Sequence, residues 1–343
     1  VVWRLEDIDP KSTPTRQSDF NEATRIEPGD VSVEAMLTDL DAAIANQLPA
    51  LQIQGRIARA RVTAYSARCA ANNDVQELSE GILKADLATL AAEGHLTPDL
   101  AFLWAGVQMA EYSGAAAKPF LLLAKEGGYT DPAVLYMLGV IALEQRDLGR
   151  ADAHAVESAA LYAKLGDKEQ QAQSLFLRGE VARVRKDPKA ARAHYEAAQK
   201  LAPGHAASVL GVTRLVLTSE GPSRAVGQLQ KQLPQLLFTG PLTGDKVLAA
   251  ADNLEALAQL ASESELAAVL RDALLAEVDL EQDPVRRGLR YFMAATIDAR
   301  LGEYSNARAH AVLARDEFKT ADIPLPIDVD AFLARIDAVS AGN

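Results

Sequence analysis

Residues 172–205 read AQSLFLRGEVARVRKDPKAARAHYEAAQKLAPGH. Two helical stretches are joined here by a short polar break, with Pro188 in the first turn of the second, where a missing N–H costs nothing. Gly179 sits mid-way along the first stretch. Ala191 follows twelve residues later, then Tyr195, Ala198 and Pro203. The spacing has a direct physical meaning. Two helices that cross closely need Gly or Ala at the crossing, the aromatic fills the gap to whatever packs next, and the proline ends the second helix.

Part of the same stretch recurs. Ala151-Asp152-Ala153-His154, Ala191-Arg192-Ala193-His194 and Ala307-Arg308-Ala309-His310 share one phrase. In each case an acidic residue, Asp147, Asp187 or Glu303, stands four places before the first alanine. A repeated phrase of this kind decides architecture before any single motif does. Other stretches keep the frame with less fidelity: Leu138-Gly139 with Ala151, Leu210-Gly211 with Ala225, Ala295 with Ala307 and Ala314, and Trp104-Ala105-Gly106 with Ala117 and Ala124. Gly106, Gly139, Gly179 and Gly211 are spaced by 33, 40 and 32 residues, and the insertion around 161–173 accounts for the long interval.

This pattern resembles the tetratricopeptide repeat, a helix–turn–helix unit of 34 residues, with one unit of the longer, roughly 40-residue variety. The resemblance implies an all-α fold, an α-solenoid of stacked antiparallel helix hairpins. It covers residues 98–236 and 284–319 best. Residues 1–31, with Pro10, Pro14 and Pro28, read as an extended arm or linker, and 32–97 as helical with a degenerate frame. Residues 237–283 read as a break followed by a degenerate hairpin, and 320–343 as a loop and a capping helix. Helices are predicted at 32–46, 50–71, 74–93, 98–112, 115–126, 132–146, 148–165, 169–185, 188–201, 205–219, 223–237, 246–261, 264–279, 284–301, 303–319 and 328–340. No stretch alternates as a strand does.

Composition narrows the function. With 35 basic against 47 acidic residues and a net charge of −12, the chain lacks the basic face that nucleic acid requires. Arg286, Arg287 and Arg290 form one short basic group, read as a solvated helix face. No apolar run reaches the ~18 residues of a membrane span. The one cysteine, Cys69, excludes an intrachain disulfide and reads as a small core residue. The first residues, Val1-Val2-Trp3, lack an initiator Met, and on that ground a soluble envelope or periplasmic setting is slightly favoured over the cytoplasm.

Catalytic signatures are missing: there is no His-Glu-x-x-His, no Gly-x-Ser-x-Gly, no phosphate-cradling Gly-rich loop and no Cys pair. The three repeated histidines invite a metal reading. Equivalent positions are two helices apart, however, and packed axes lie ~8–10 Å from each other, whereas zinc holds its ligands within ~2.3 Å. Catalytic, cofactor and metal sites are therefore expected to be absent.

The resemblance also implies which residues face the concave side. They are Leu103, Trp104 and Val107; Tyr136, Met137 and Val140; Phe176, Leu177, Glu180 and Arg183; Val209, Val212 and Leu215; and Phe292 and Met293. The Lys and Asn residues with which one group of these repeats grips a C-terminal carboxylate are missing from these positions. The expected function is a non-enzymatic scaffold that holds a peptide or helix of a protein partner in an apolar groove, within a larger bacterial assembly. Two alternatives are an envelope or secretion component anchored upstream, and a small-ligand receptor or enzyme. The chain's own arm or last helix is a competing occupant of the groove.

Overall fold

The computed structural model describes residues 40–42, 44, 45, 48–69, 73–236, 264–276, 278–321 and 328–341. The arm predicted over 1–31, most of the helix predicted over 32–46, the break at 237–245, the helix at 246–261 and the loop at 322–327 lie outside those residues, as does the side chain of Cys69. The fold is all-α. Among the described residues every regular element is an α-helix apart from one 3-10 turn, Val278–Leu280, and none is a strand.

The chain divides into two compact units, 1–145 and 146–343. That division falls inside the hairpin predicted over 132–165, and so inside the repeat stretch predicted over 98–236.

In the first unit α1 (Pro49–Cys69), α2 (Asn73–Ala92), α3 (Pro98–Glu111), α4 (Gly114–Glu126) and α5 (Ala133–Glu144) each pack against the next. Gly94 and Gly128 take the left-handed conformation between helices, Pro98 opens α3, and the Ser113 side chain caps α4 through the Ala116 N–H. Trp104 of α3 is buried with Ile57 and Ala60 of α1, Leu87 and Leu90 of α2, and Leu100. Alanines at 101, 105, 117 and 124 let α3 and α4 approach closely. Asp86 on α2 is wholly buried, and Arg59 of α1 clasps it with two hydrogen bonds of 2.7 Å. A buried carboxylate survives only with such a partner.

The second unit comprises α6 (Leu148–Leu165), α7 (Lys168–Val184), α8 (Pro188–Leu201), α9 (Ala206–Glu220), α10 (Pro222–Leu236), α11 (Ser264–Leu275), α12 (Pro284–Arg300), α13 (Tyr304–Ala321) and α14 (Val329–Ala341). Each packs against its successor, and α7 also packs against α9. Helices α6 and α7 are antiparallel: Ser158 bonds Ser174, Asp152 pairs with Arg178, and Arg185 reaches the Leu148 carbonyl. Helices α7 and α9 run in the same direction, with Gln173 beside His205 and Glu180 beside Arg214. Two parallel helices with an antiparallel one between them is the arrangement of a helical-repeat solenoid.

The joints repeat as well. Asp147, Asp167 and Asp187 each cap the helix that follows, accepting the N–H three residues on at 3.1, 3.1 and 2.9 Å. The residue before each cap is left-handed: Arg146, Gly166 and Lys186, with Gly302 before Glu303 as a fourth case. Asp187 N–H closes on the Ala182 carbonyl and Glu303 N–H on that of Asp298, so each joint ends one helix and starts the next. The acid four places before each Ala-x-Ala-His is thus a helix cap at Asp147 and Asp187. The first alanine of each phrase is fully buried.

The basic group on α12 is not a solvated face. Arg290 is buried, and Arg286 and Arg290 both pair with Glu281. Arg287 bonds the Glu281 carbonyl and Glu317 of α13. The turn at Val278–Leu280 brings Glu281 back over the start of α12, and the three arginines hold it there.

Candidate partner-binding face

Tyr195 of α8 is wholly buried, and its ring lies between two backbones. A Cβ at Gly179 on α7 would overlap the ring from one side. At Gly211 on α9 it would come within 2.9–3.0 Å from the other. The ring therefore plugs the gap between the parallel helices, and its hydroxyl emerges to bond Glu180. Burial, together with the Glu180 charge, pushes the phenol pKa up, so Tyr195 remains a hydrogen-bond donor.

Around that hydroxyl the α7/α9 seam carries a chain of polar and aromatic groups. Arg183 gives Nε and Nη2 to one Glu180 oxygen at 3.0 and 2.7 Å, and Arg214 of α9 stands 3.9 Å from the other. The bond to Glu180 raises the Arg183 pKa against the opposing effect of burial. Four residues before Glu180 along α7, Phe176 is half-buried, with ring centroids 5.6 Å from Tyr195 and 5.8 Å, edge-on, from His205. His205 bonds Gln173 through Nε2 and Ser208 through Nδ1, the latter at 2.7 Å. An amide oxygen only accepts, so Nε2 carries the proton and Nδ1 accepts from Ser208. Burial drives the His205 pKa down to about 4, keeping the ring neutral.

The residues predicted to face a groove divide by burial. Trp104, Leu177, Val209, Val212 and Met293 are buried, which withdraws them from any accessible surface. The cause is angular: helix positions one apart differ by about 100°, and these five turn toward a neighbouring helix. Leu103, Val107, Tyr136, Met137, Val140, Phe176, Glu180, Arg183, Leu215 and Phe292 are half-buried. Leu103 and Val107 lie at the edge of the Trp104 core, and Trp104 itself meets Phe120 edge-on at 6.3 Å. Phe292 meets Phe332 of α14 edge-on at 5.3 Å, so the last helix packs on Phe292. In the second unit the structure thus brings Phe176, Glu180 and Arg183 together with Arg214 and Leu215, and gives Phe292 to the cap.

Sequence reasoning missed three features. Gly106 shares the repeat position of Gly179, yet a Cβ there meets nothing within 4 Å. Its unit carries Leu121, not an aromatic, where Tyr195 stands. The tight contact of the last hairpin is instead Gly288 against Phe318. Asp298, wholly buried on α12, is held by Arg271 of α11 at 3.3 Å and by His310 Nδ1 of α13 at 2.7 Å. A polar residue amid the apolar positions of α12 was the available signal.

The repeated histidines do not converge. His310 pairs with Asp298 and stacks on Tyr291, while His194 has its pKa lowered by burial and by the Arg178 charge. Among the described residues no three His, Cys, Asp or Glu side chains are grouped to share an ion, and no helix is long and apolar enough to cross a membrane. Comparison in sequence gives no matching family model and no matching curated protein.

Proposed function

We propose that this protein is a non-enzymatic scaffold of tetratricopeptide type, whose inner helices hold a peptide or helix of a protein partner within a larger bacterial assembly. One observation carries the reading. Tyr195 is clamped between Gly179 and Gly211, as the aromatic of such a unit would be, and this leaves half-buried Phe176 and Leu215 on the α7/α9 seam. Helical-repeat arrays use a surface shared by neighbouring units for recognition, and an apolar seam rimmed by charge suits a docked helix.

Site-specific photo-crosslinking in the source cells tests this. A photoreactive residue at Phe176, Leu215 or Val107 should capture a defined protein partner. The same residue at Leu122 or Leu313, exposed on the second helices of hairpins, should not. Equal capture from both sets removes the inner face as the binding surface, and turnover of a small substrate by the purified chain removes the scaffold reading.

A further inference from the structure

We infer that one end of the second unit, where the joints at Arg146 and Lys186 lie side by side, docks an acidic segment of a protein partner on the cations Arg146, Lys186 and Lys189. The inference goes beyond the inner face around Phe176 and does not depend on it.

Packing brings the two joints together. Arg185, just past the end of α7, bonds the Leu148 carbonyl at 2.9 Å and stands 3.6 Å from Asp152, near the start of α6. Helix α8 begins at Pro188, directly after the second joint, so its first turn lies at the same end. Residues 183–192 carry five basic side chains against one acid, in a chain whose net charge is −12.

The acids at this end are already engaged. Asp147 caps α6 and pairs with Arg150, Asp152 lies between Arg178 and Arg185, and Glu220 pairs with Arg192. Asp187 accepts the Ala190 N–H. Glu144, the nearest acid before Arg146 in the chain, places its carboxylate beside Gly114 of α4. Arg146, Lys186 and Lys189 are exposed, and none of the three makes an ion pair or a side-chain hydrogen bond among the described residues.

The backbone adds a second observation. Gly166 and Gly302 take the left-handed conformation at their joints, and glycine does so without strain. The equivalent residues at the other two joints are Arg146, at φ +60, and Lys186, at φ +61. A Cβ makes that conformation costly, and neither side chain offsets the cost with a contact inside the fold. These two exceptions are the two joints that lie side by side. Strain kept where a side chain holds nothing in the fold points to a use outside it.

A protein segment fits this edge better than a membrane or a nucleic acid does. Charges are screened over ~8 Å at physiological salt, so a short peptide at the edge meets the local cations. A bilayer or a duplex spans the molecule and meets its acidic remainder. The edge also offers a bilayer nothing to insert, since no large apolar side chain is exposed across 146–150 or 185–192.

The test measures binding of the full chain to a labelled peptide of alternating Asp and Glu, acetylated and amidated so that it carries no terminal charge. A matched peptide of Asn and Gln is the control. The acidic peptide should bind and the amide peptide should not, and added salt should weaken the binding. Arg146→Gly with Lys186→Gly should weaken it at least fivefold while the melting temperature holds or rises, and Lys189→Gln should weaken it further. Lys164→Gln with Lys200→Gln, exposed at the opposite end of α6 and α8, should leave it unchanged.

Equal affinity in the Arg146→Gly, Lys186→Gly variant and the wild type would overturn the inference. An equal loss in the opposite-end variant would also overturn it, by reducing the effect to overall charge. Phosphatidylserine vesicles or a single-stranded oligonucleotide that bind more tightly, and lose binding in the same variant, would give the edge to a phosphate-bearing partner instead. Binding lost in Phe176→Ala but unmoved by the edge variants would place the acidic segment on the inner face, against this inference and in support of the scaffold reading.

Discussion

The Tyr195 ring occupies the space that a Cβ at Gly179 would need. One aromatic from α8 thus sets how closely α7 and α9 approach. Gly179→Ala and Gly211→Ala should each force the ring or a backbone to move, at a cost of about 1–3 kcal/mol. Gly106→Ala meets open space and should be neutral or stabilising by up to about 1 kcal/mol through helix propensity. Thermal melts of the three variants would check this, and a Gly106 variant as damaged as the Gly179 one would show that both units are built alike.

Trp104 and Phe176 stand two and three residues before the glycines of their helices, Gly106 and Gly179, and should respond differently. Trp104 is 9% exposed and central to the first unit's core, so Trp104→Ala should cost about 3–5 kcal/mol. Phe176 is half-buried, and its truncation should cost about 1–2 kcal/mol while weakening peptide capture. Denaturant titration of both variants, with binding measured in parallel, separates the two roles.

Lys186 holds a left-handed backbone at φ +61, a conformation that glycine adopts without penalty. Lys186→Gly should raise stability by about 0.5–1 kcal/mol, the relief of strain exceeding the added freedom of the unfolded chain. Arg146→Gly, at φ +60, should behave alike. A calorimetric melt shifted downward in both would show that the lysine and arginine side chains stabilise these joints.

Burial pulls the His205 pKa down to about 4, against about 6.5 when unfolded. The unfolded chain therefore binds the proton first. The native state has its full advantage above pH 6.5 and loses it as pH falls toward 4, by up to about 3 kcal/mol from this group. Comparing the wild type with His205→Gln by urea denaturation at pH 7, 5.5 and 4.5 isolates the contribution. The stability gap should narrow with acid, and a gap constant across that range would rule the effect out.

Local grammar carried the sequence a long way. Alanines at 151, 191 and 307 mark helix crossings, the acids before them mark helix starts, and Gly166 and Gly302 mark helix ends. These signals act within a few residues, through steric fit and backbone hydrogen bonds, so the order of residues suffices to read them. The helical solenoid follows, since hairpins of this pattern can bury their apolar faces only on one another.

The tertiary structure decided what depends on angle and partner. A helix position turns by about 100° per residue, so Trp104 and Val212 went to the core while Leu103 and Leu215 stayed half-buried at its edge. Only packing could show that Gly288, not Gly106, lies against an aromatic, that Arg290 is buried on Glu281, and that Phe332 covers Phe292. The meeting of Arg183, Glu180, Tyr195 and Arg214 likewise spans three helices. No spacing within one helix encodes such a contact, because it arises from how far the neighbouring helices can close on the ring between them.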